Sequence, residues 1–402
     1  MARHLTPEFF GSLNFLIALV ALLAPFMALG LNSLISYEVL TRPINSNMIM
    51  GSAVFMRAAV GVIIACIATA IGYCYFSLDD RWLFGVAIFA SVLNAAAVID
   101  FWLQAHVLNR YSAILRVVVL ALFSGARIWA VWQGAGVAVF VYILAAEYVA
   151  FGLFYFLIYH RLSGGIHQLR TSYDECSRLI LQSRWLFLSG IAAVFYLKID
   201  QVMLAMMLGD SALGIYVVAT KLSEVWYFLP AAIVSSFFPK LIKLKKNDPT
   251  HFNKRLQQLF DLLFIIAFGI AIVVALIAQP LIMIMFGEAY QNAAPILIIH
   301  IWAALFIFMR ALFSKWIIIE DILIFSVISH GLGALLNVAL NYLLIPHYGG
   351  EGAAYATLFS YATSSYLALL LYSKTRPIFW MMTKSIFSPI RYSLDILRGK
   401  LW

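Results

Sequence analysis

Charge is what this sequence has least of. Aspartate, glutamate, lysine and arginine make up 11% of its 402 residues, against about a quarter in a soluble domain. So little charge excludes an ordinary water-soluble globule. Cysteine is scarce as well: Cys66, Cys74 and Cys176 give neither a disulfide framework nor a metal-ligand spacing. The eight histidines form no HExxH and no Cys/His cluster, so no metal site is expected. GxSxG and GxxxxGK[ST] are missing too, which argues against a serine hydrolase of that type and against ATP hydrolysis at a P-loop. No catalytic residues and no cofactor are expected, and the chain reads as a non-enzyme. Any energy it uses must come from an ion gradient or from the gradient of its own substrate.

Apolar residues are abundant, at 64%, and they come in long blocks rather than in alternation. A bilayer core about 30 Å thick takes about 20 apolar helical residues per crossing. Backbone groups in lipid must bond within their own segment, so the crossings are helices. The blocks fall at about 10–37, 48–76, 82–107, 111–132, 136–159, 180–208, 212–242, 257–286, 291–315, 321–346 and 351–373. The expected fold class is therefore an all-α polytopic membrane protein with about eleven transmembrane helices. The first apolar run reaches about Ile35. That outruns the ~7–15-residue apolar region of a signal peptide, and it is read as a retained span.

The basic residues orient the chain. With the C-terminus in the cytoplasm, 21 of the 27 basic residues fall on the cytoplasmic side, Arg42, Arg110, Arg116 and Arg310 among them. Only Arg3 and Arg81 lie outside, and the N-terminus is then periplasmic. Such a split is what the positive-inside rule predicts for a correct span count. The net charge of +9 is accordingly spent on topology and on anionic headgroups, not on nucleic acid. A polar loop at about 160–179 separates five helices from six. It divides an N-terminal lobe (1–165) from a C-terminal lobe (166–375), followed by a basic amphipathic cytoplasmic tail (376–402). In that tail Ile390, Leu394, Leu397 and Leu401 form an apolar stripe beside Arg391, Arg398 and Lys400, which suits a helix lying on the membrane face. A short echo supports two lobes: LTPEFFG (Leu5 to Gly11) precedes the first span and LGDSALG (Leu208 to Gly214) the seventh.

Ionisable side chains inside a membrane are costly and mark cavities or partners. Eight lie within the spans: Arg57, Asp100, Arg127, Glu147, Lys198, Asp200, Lys221 and Glu224. The densest group is YLKIDQ (Tyr196 to Gln201) with TKLSEVW (Thr220 to Trp226), whose four charges share a depth. They line a cavity, or they close a structural network in which Lys221 and Glu224 pair at i,i+3. Arg57 and Arg127 each stand alone on a helix. Each could grip phosphate through its guanidinium fork, bond to a neighbouring helix, or snorkel to the interface. Glu147 sits mid-span, where it could couple to protons or pair with Arg57 or Arg127. Pro25, Pro230 and Pro280 allow hinges or static kinks. Asn337 and Asn341, one turn apart, suit glue between helices.

The segment from Tyr196 to Leu241 carries KIDQ, LGD-x-x-x-G-x-Y and KLSE-x-W-x-x-x-P. It resembles the O-antigen flippases, the Wzx-type members of the polysaccharide transporter family. Further matches are DFWLQ (Asp100 to Gln104), FGEAYQNAAPIL (Phe286 to Leu297) and LNYLLIPHYGGEGAAYATL (Leu340 to Leu358), so the resemblance spans nearly the whole chain. It implies a V of two six-helix lobes in the bacterial inner membrane. It implies flipping of undecaprenyl-diphosphate-linked repeat units from the cytoplasmic to the periplasmic leaflet by alternating access. Arg57, Arg127, Lys198 and Lys221 would form the cationic, substrate-binding cavity, with Asp100, Glu147, Asp200 and Glu224 as coupling or ion-pair carboxylates. The implied partners are the lipid-linked oligosaccharide and membrane lipids, with the O-antigen polymerase and the chain-length regulator as further ones. One departure stands out: the family's first helix comes before a stretch like ARHLTPEFFG, and none precedes it here. Two alternatives share the fold, an ion-coupled drug or cation antiporter and a lipid II flippase. Buried basic residues argue against the first, and the short chain against the second.

Overall fold

The computed structural model describes residues 3–75, 78–320, 322 and 324–391. Among them every regular element is helical. Ten helical runs are long and apolar enough to cross a membrane. The last, Ile324–Leu371, has 48 residues, about 72 Å if straight, more than twice a bilayer core. It breaks at Gly349, whose φ of 56° and ψ of −133° are not helical. It is therefore two arms, which agrees with the eleven crossings counted in the sequence. The protein is a multi-pass, all-α membrane protein.

The chain packs as two units, one of residues 12–198 and one of residues 199–402 together with Thr6–Gly11. The sequence suggested a junction in the 160–179 loop, but the packing divides inside α8. That helix is 36 residues long, too long to be held by one set of neighbours.

The first unit holds α1 (Pro7–Ala28) from Ser12 onward, α2 (Leu31–Thr41), α3 (Ser46–Tyr75), α4 (Leu78–Ser91), α5 (Val98–Ala105), α6 (Asn109–Trp132), α7 (Val137–Leu162) and α8 (Tyr173–Leu208) as far as Lys198. Its core gathers Leu31, Ile35, Ile49, Met50, Ile99 and Leu103, all fully buried. The apolar run at 10–37 is not one helix. It breaks at Leu29 and Gly30, both left-handed (φ 55° and 65°), just after Pro25. A Cβ at Gly30 would overlap the backbone of Phe187, so only glycine lets α8 come this close. The run at 82–107 is also divided, by a 3₁₀ segment at Val92–Ala97. At the start of α8 two acids meet two bases. Arg178 reaches Glu38 at 2.7 Å and Glu175 at 2.5 Å, and Arg42 reaches Glu175 at 3.3 Å. The ring ties α2 to α8.

The second unit holds α9 (Asp210–Glu224), α10 (Phe228–Asn247), α11 (Pro249–Phe286), α12 (Ala293–His300), α13 (Ala303–Ile319), α14 (Ile324–Ser365) and α15 (Arg376–Ile386). Its core is built on Phe260, Leu263, Phe308, Leu312, Phe313 and Met382. The stretch from 376 is therefore not simply a tail on the membrane. α15 buries Ile378 and Met382 in this core, and Arg391 pairs with the buried Asp261 of α11. Ser385 donates to the same carboxylate at 2.7 Å. Leu394, Leu397, Arg398, Lys400 and Leu401 lie outside the described residues.

The two echoing sequence segments meet. A Cβ on Gly11 would overlap the Asp210 carbonyl, and one on Gly214 would overlap the Pro7 carbonyl. The starts of α1 and α9 thus cross backbone to backbone, as small residues permit between membrane helices. Gly214→Leu should lower stability by about 1–3 kcal/mol, the usual cost of overpacking, visible as a fall in the thermal midpoint of the purified protein. Gly269→Ala, where an added Cβ meets nothing within 4 Å, should leave the midpoint unchanged or raise it. Equal midpoints for Gly214→Leu and wild type would show that the crossing is loose.

Candidate functional site

A cavity of about 550 Å³ lies within the first unit, lined by apolar side chains and a few polar and charged ones. The broken α1/α2 run lines it with Pro25, Gly30 and Asn32, and α3 supplies Arg57. The divided α4/α5 run supplies Asn94, Asp100 and Phe101. Arg116 comes from α6, Tyr148 from α7, and Phe187 and Gly190 from α8. Breaks in two helices are what make polar groups available here. A continuous helix spends its carbonyls on itself, whereas a 3₁₀ turn alters that pairing. The Asn94 carbonyl accepts from Arg57 Nη2 at 3.5 Å, and Asn32 Oδ1 accepts from Arg57 Nη1 at 3.2 Å.

Arg57 is 6% exposed. Among the described residues no carboxylate pairs with it, and its Nε is buried without a hydrogen-bond partner. A guanidinium has five N–H donors, and two neutral oxygens use only two of them, so Nε–H is among those unspent and no carboxylate offsets the charge. Asp100 is satisfied differently. It accepts from Arg116 Nη2 at 2.7 Å, from Gln104 Nε2 at 3.0 Å, and from the Ser112 hydroxyl. Ser112 Oγ lies 3.2 Å from the Tyr155 hydroxyl. The guanidinium of Arg116 stays in the open, its side chain 57% exposed. The cavity wall thus carries two cations and one anion, and its chemistry favours an anionic group near Arg57.

The sequence count had set Arg116 outside the spans, with the cytoplasmic charges. It stands in the second turn of α6, and Asp100 stands five residues before the end of α5. Equal depth across the short 106–108 link is a signal that could have paired them. Arg310 was set on the same side, yet it lies in α13 at 7% exposure. Its Nη1 donates to the Ser364 carbonyl at 2.8 Å, and its Nη2 lies 3.1 Å from Ser329 Oγ and 2.9 Å from His330 Nε2. The flanking FIFMRALF run is apolar on both sides, which was its sign.

Other expected site residues do not join the cavity. Arg127 is bound to Glu147, so of the two partners open to Glu147 the structure selects Arg127. Neither lines the cavity with Arg57. Asp200 is buried in the second unit, where it accepts from the Tyr216 hydroxyl and lies 3.3 Å from Thr357 Oγ1. Lys221 rests its ammonium over the Phe10 ring at 4.9 Å, a cation–π contact. Lys198 and Glu224 are half-buried. Asn341 Nδ2 donates to Asn337 Oδ1 at 2.8 Å along one helix, a bond within α14 rather than between helices.

Eleven apolar crossings, several of them broken, packed in two units define the class of this chain: a polytopic all-α membrane protein. The same fold is found in solved structures. An inward-facing multidrug resistance MATE family transporter of the MOP superfamily superposes with a TM-score of 0.70 at 13% identity, covering 95% of this chain and 93% of that one. The lipid II flippase MurJ, in an inward closed conformation, gives 0.68 at 14% identity, covering 97% and 88%. The chain belongs to the polysaccharide biosynthesis protein family, which matches residues 1–295. Two relatives come from Haloferax volcanii. Probable flippase AglR is 23% identical over 262 residues, which is 62% of this chain and 52% of that protein. Probable low-salt glycan biosynthesis flippase Agl15 is 21% identical over 242 residues, or 59% and 51%. The chain spans about half the length of these relatives.

The Arg127–Glu147 pair makes a prediction apart from the cavity. Removing one partner of a buried pair costs about 3–5 kcal/mol, because the other charge is stranded; with Arg127 side-chain exposure at 25%, the lower end or less is expected. Arg127→Glu should lower the thermal midpoint, and adding Glu147→Arg should restore most of the loss. A swap no better than the single change would deny the pair.

Proposed function

We propose that this chain carries a lipid-linked glycan across the membrane and that the first-unit cavity grips its phosphate. The observation that carries this reading is Arg57: buried, held by Asn32 and the Asn94 carbonyl, with its Nε–H among the donors left unspent. Phosphate oxygens match a guanidinium fork, and the contact is strong where water is excluded. A diphosphate headgroup cannot cross hydrocarbon unaided; fixed donors in a wet cavity replace its hydration. Membership of the polysaccharide biosynthesis protein family and the naming of both relatives as flippases support the reading.

The finer form is that the cargo is an undecaprenyl-diphosphate-linked O-antigen or polysaccharide repeat unit. It moves from the cytoplasmic to the periplasmic leaflet of a bacterial inner membrane by alternating access of two lobes, with the C-terminus cytoplasmic. Arg57 and Arg116 are the main anion contacts. Lys198 and Lys221 remain as further ones, on charge and motif. Two guanidiniums against one carboxylate on the cavity wall favour an anionic cargo over a cationic drug. The chain is on this reading a transporter rather than an enzyme.

Proteoliposomes loaded with a fluorescent polyprenyl-diphosphate oligosaccharide test it, read by a membrane-impermeant glycosidase. Arg57→Ala should slow exposure of the sugar roughly tenfold or more, the worth of one hydrogen bond to a charged group. Arg57→Lys should recover part of it. Wild-type rates in Arg57→Ala, at equal protein incorporation, would remove the cavity from the mechanism.

A further inference from the structure

Most described charge clusters outside the cavity close on themselves. Glu38 and Glu175 meet Arg42 and Arg178, Asp261 meets Arg391, and Glu320 meets Lys245. A cationic surface of the second unit does not. A groove of about 230 Å³ lies between α10 and α11. Each helix gives it positions i, i+3, i+4 and i+7, from Phe237 to Leu244 on one side and from Arg255 to Leu262 on the other. Its cations are Lys240 and Arg255, both exposed. Among the described residues no carboxylate lines the groove or pairs with either cation. Arg255 Nη1 donates to Gln258 Oε1 at 3.0 Å. The nearest acids in sequence are engaged elsewhere, Asp248 with His251 at 2.6 Å and Asp261 with Arg391.

The order along the groove is the second observation. α10 ends at Asn247 and α11 begins at Pro249, so Asp248 marks one end of both helices. At 1.5 Å per residue Lys240 and Arg255 stand about 10–12 Å from that turn, and Phe237, Leu259 and Leu262 about 16–21 Å. The cations therefore sit nearer the turn than Phe237 and Leu262, which lie farther along the two helices. Phe237 and Leu262 remain 43% and 41% exposed, although Leu241 and Leu259 beside them are buried. A soluble anion would have no use for this apolar stretch. A lipid has both parts in this order, and basic pockets between membrane helices near the surface select anionic headgroups.

We propose that this groove binds an anionic phospholipid, its phosphate between Lys240 and Arg255 and its upper acyl chain on the exposed Phe237 and Leu262. The site is separate from the Arg57 cavity and stands whether or not the chain moves glycans. It also does not depend on which membrane face the turn occupies.

Native mass spectrometry of the purified full-length chain tests it, with phosphatidylglycerol, phosphatidylcholine or polyprenyl diphosphate added. Wild type should retain phosphatidylglycerol over phosphatidylcholine. Lys240→Gln with Arg255→Gln should cut phosphatidylglycerol retention roughly tenfold, with phosphatidylcholine adducts unchanged. Leu262→Trp keeps the charges but fills the groove. It should lower phosphatidylglycerol retention as well, and it carries the test if the double variant does not fold. Equal phosphatidylglycerol retention by wild type and the folded variants would overturn the proposal. So would retention at this groove of polyprenyl diphosphate alone, which would make it a cargo site.

Discussion

A charged or polar side chain in hydrocarbon must find partners inside the protein, because no water is there to supply them. That constraint arranges much of this structure. Asp100 collects Arg116, Gln104 and Ser112. Glu147 takes Arg127, Asp200 takes the hydroxyl of Tyr216, and Asp261 takes Arg391, Ser385 and Gln257. Each of these groups is a closed arrangement, and a closed arrangement has little left to offer a ligand. Arg57 differs in kind: its partners are neutral, and donors, its Nε–H among them, are unspent. The contrast between closed and open charges separates structural from functional candidates better than depth in the membrane does.

Open sites need acceptors and donors that regular helices withhold. The breaks supply them. At Leu29–Gly30 the chain leaves the helical region, which brings Asn32 to the cavity wall beside Arg57. At Val92–Ala97 the 3₁₀ turns present the Asn94 carbonyl. Arg310 uses the same device in the second unit, taking the Ser364 carbonyl one residue before α14 ends. Irregular backbone at membrane depth is tolerated where it faces a cavity or is covered by protein. Its position next to Arg57 and Arg310 therefore follows from the same cost that fixes the ion pairs.

Much of the fold was legible because lipid leaves few solutions. Apolar blocks of spanning length must be helices, and their number came out as expected once the run through Gly349 is taken as two arms. The breaks were less legible. Pro25 pointed near one of them, but the turn falls at Leu29–Gly30, where the approach of Phe187 decides it. Arg57 and Asp100 were visible as charges in apolar runs, and the cavity unites them. Lys198, Asp200, Lys221 and Glu224 were grouped by shared depth, yet depth carries no azimuth around a helix. Asp200 turns to Tyr216 and Lys221 to Phe10. Arg116 and Arg310 were missed for a related reason. A rule that counts basic residues at span ends cannot tell a side chain that stays unpartnered from one bound to a carboxylate or carbonyl of the protein.

If the chain carries an anion as proposed, the pairing of Arg116 with Asp100 also bears on turnover. A carrier must release what it binds, so a site cannot be made arbitrarily strong without trapping its cargo. Two unopposed guanidiniums around one phosphate, away from water, would bind tightly and let go slowly. Asp100 offsets one of them. It holds Arg116 at 2.7 Å while leaving that side chain mostly exposed, so part of its hydrogen-bonding capacity is already spent. Arg57 is fixed and fully cationic, and Arg116 is tempered and free to adjust. On the proposed function, one strong contact and one moderated contact would give an anion a place to settle without a place to stay.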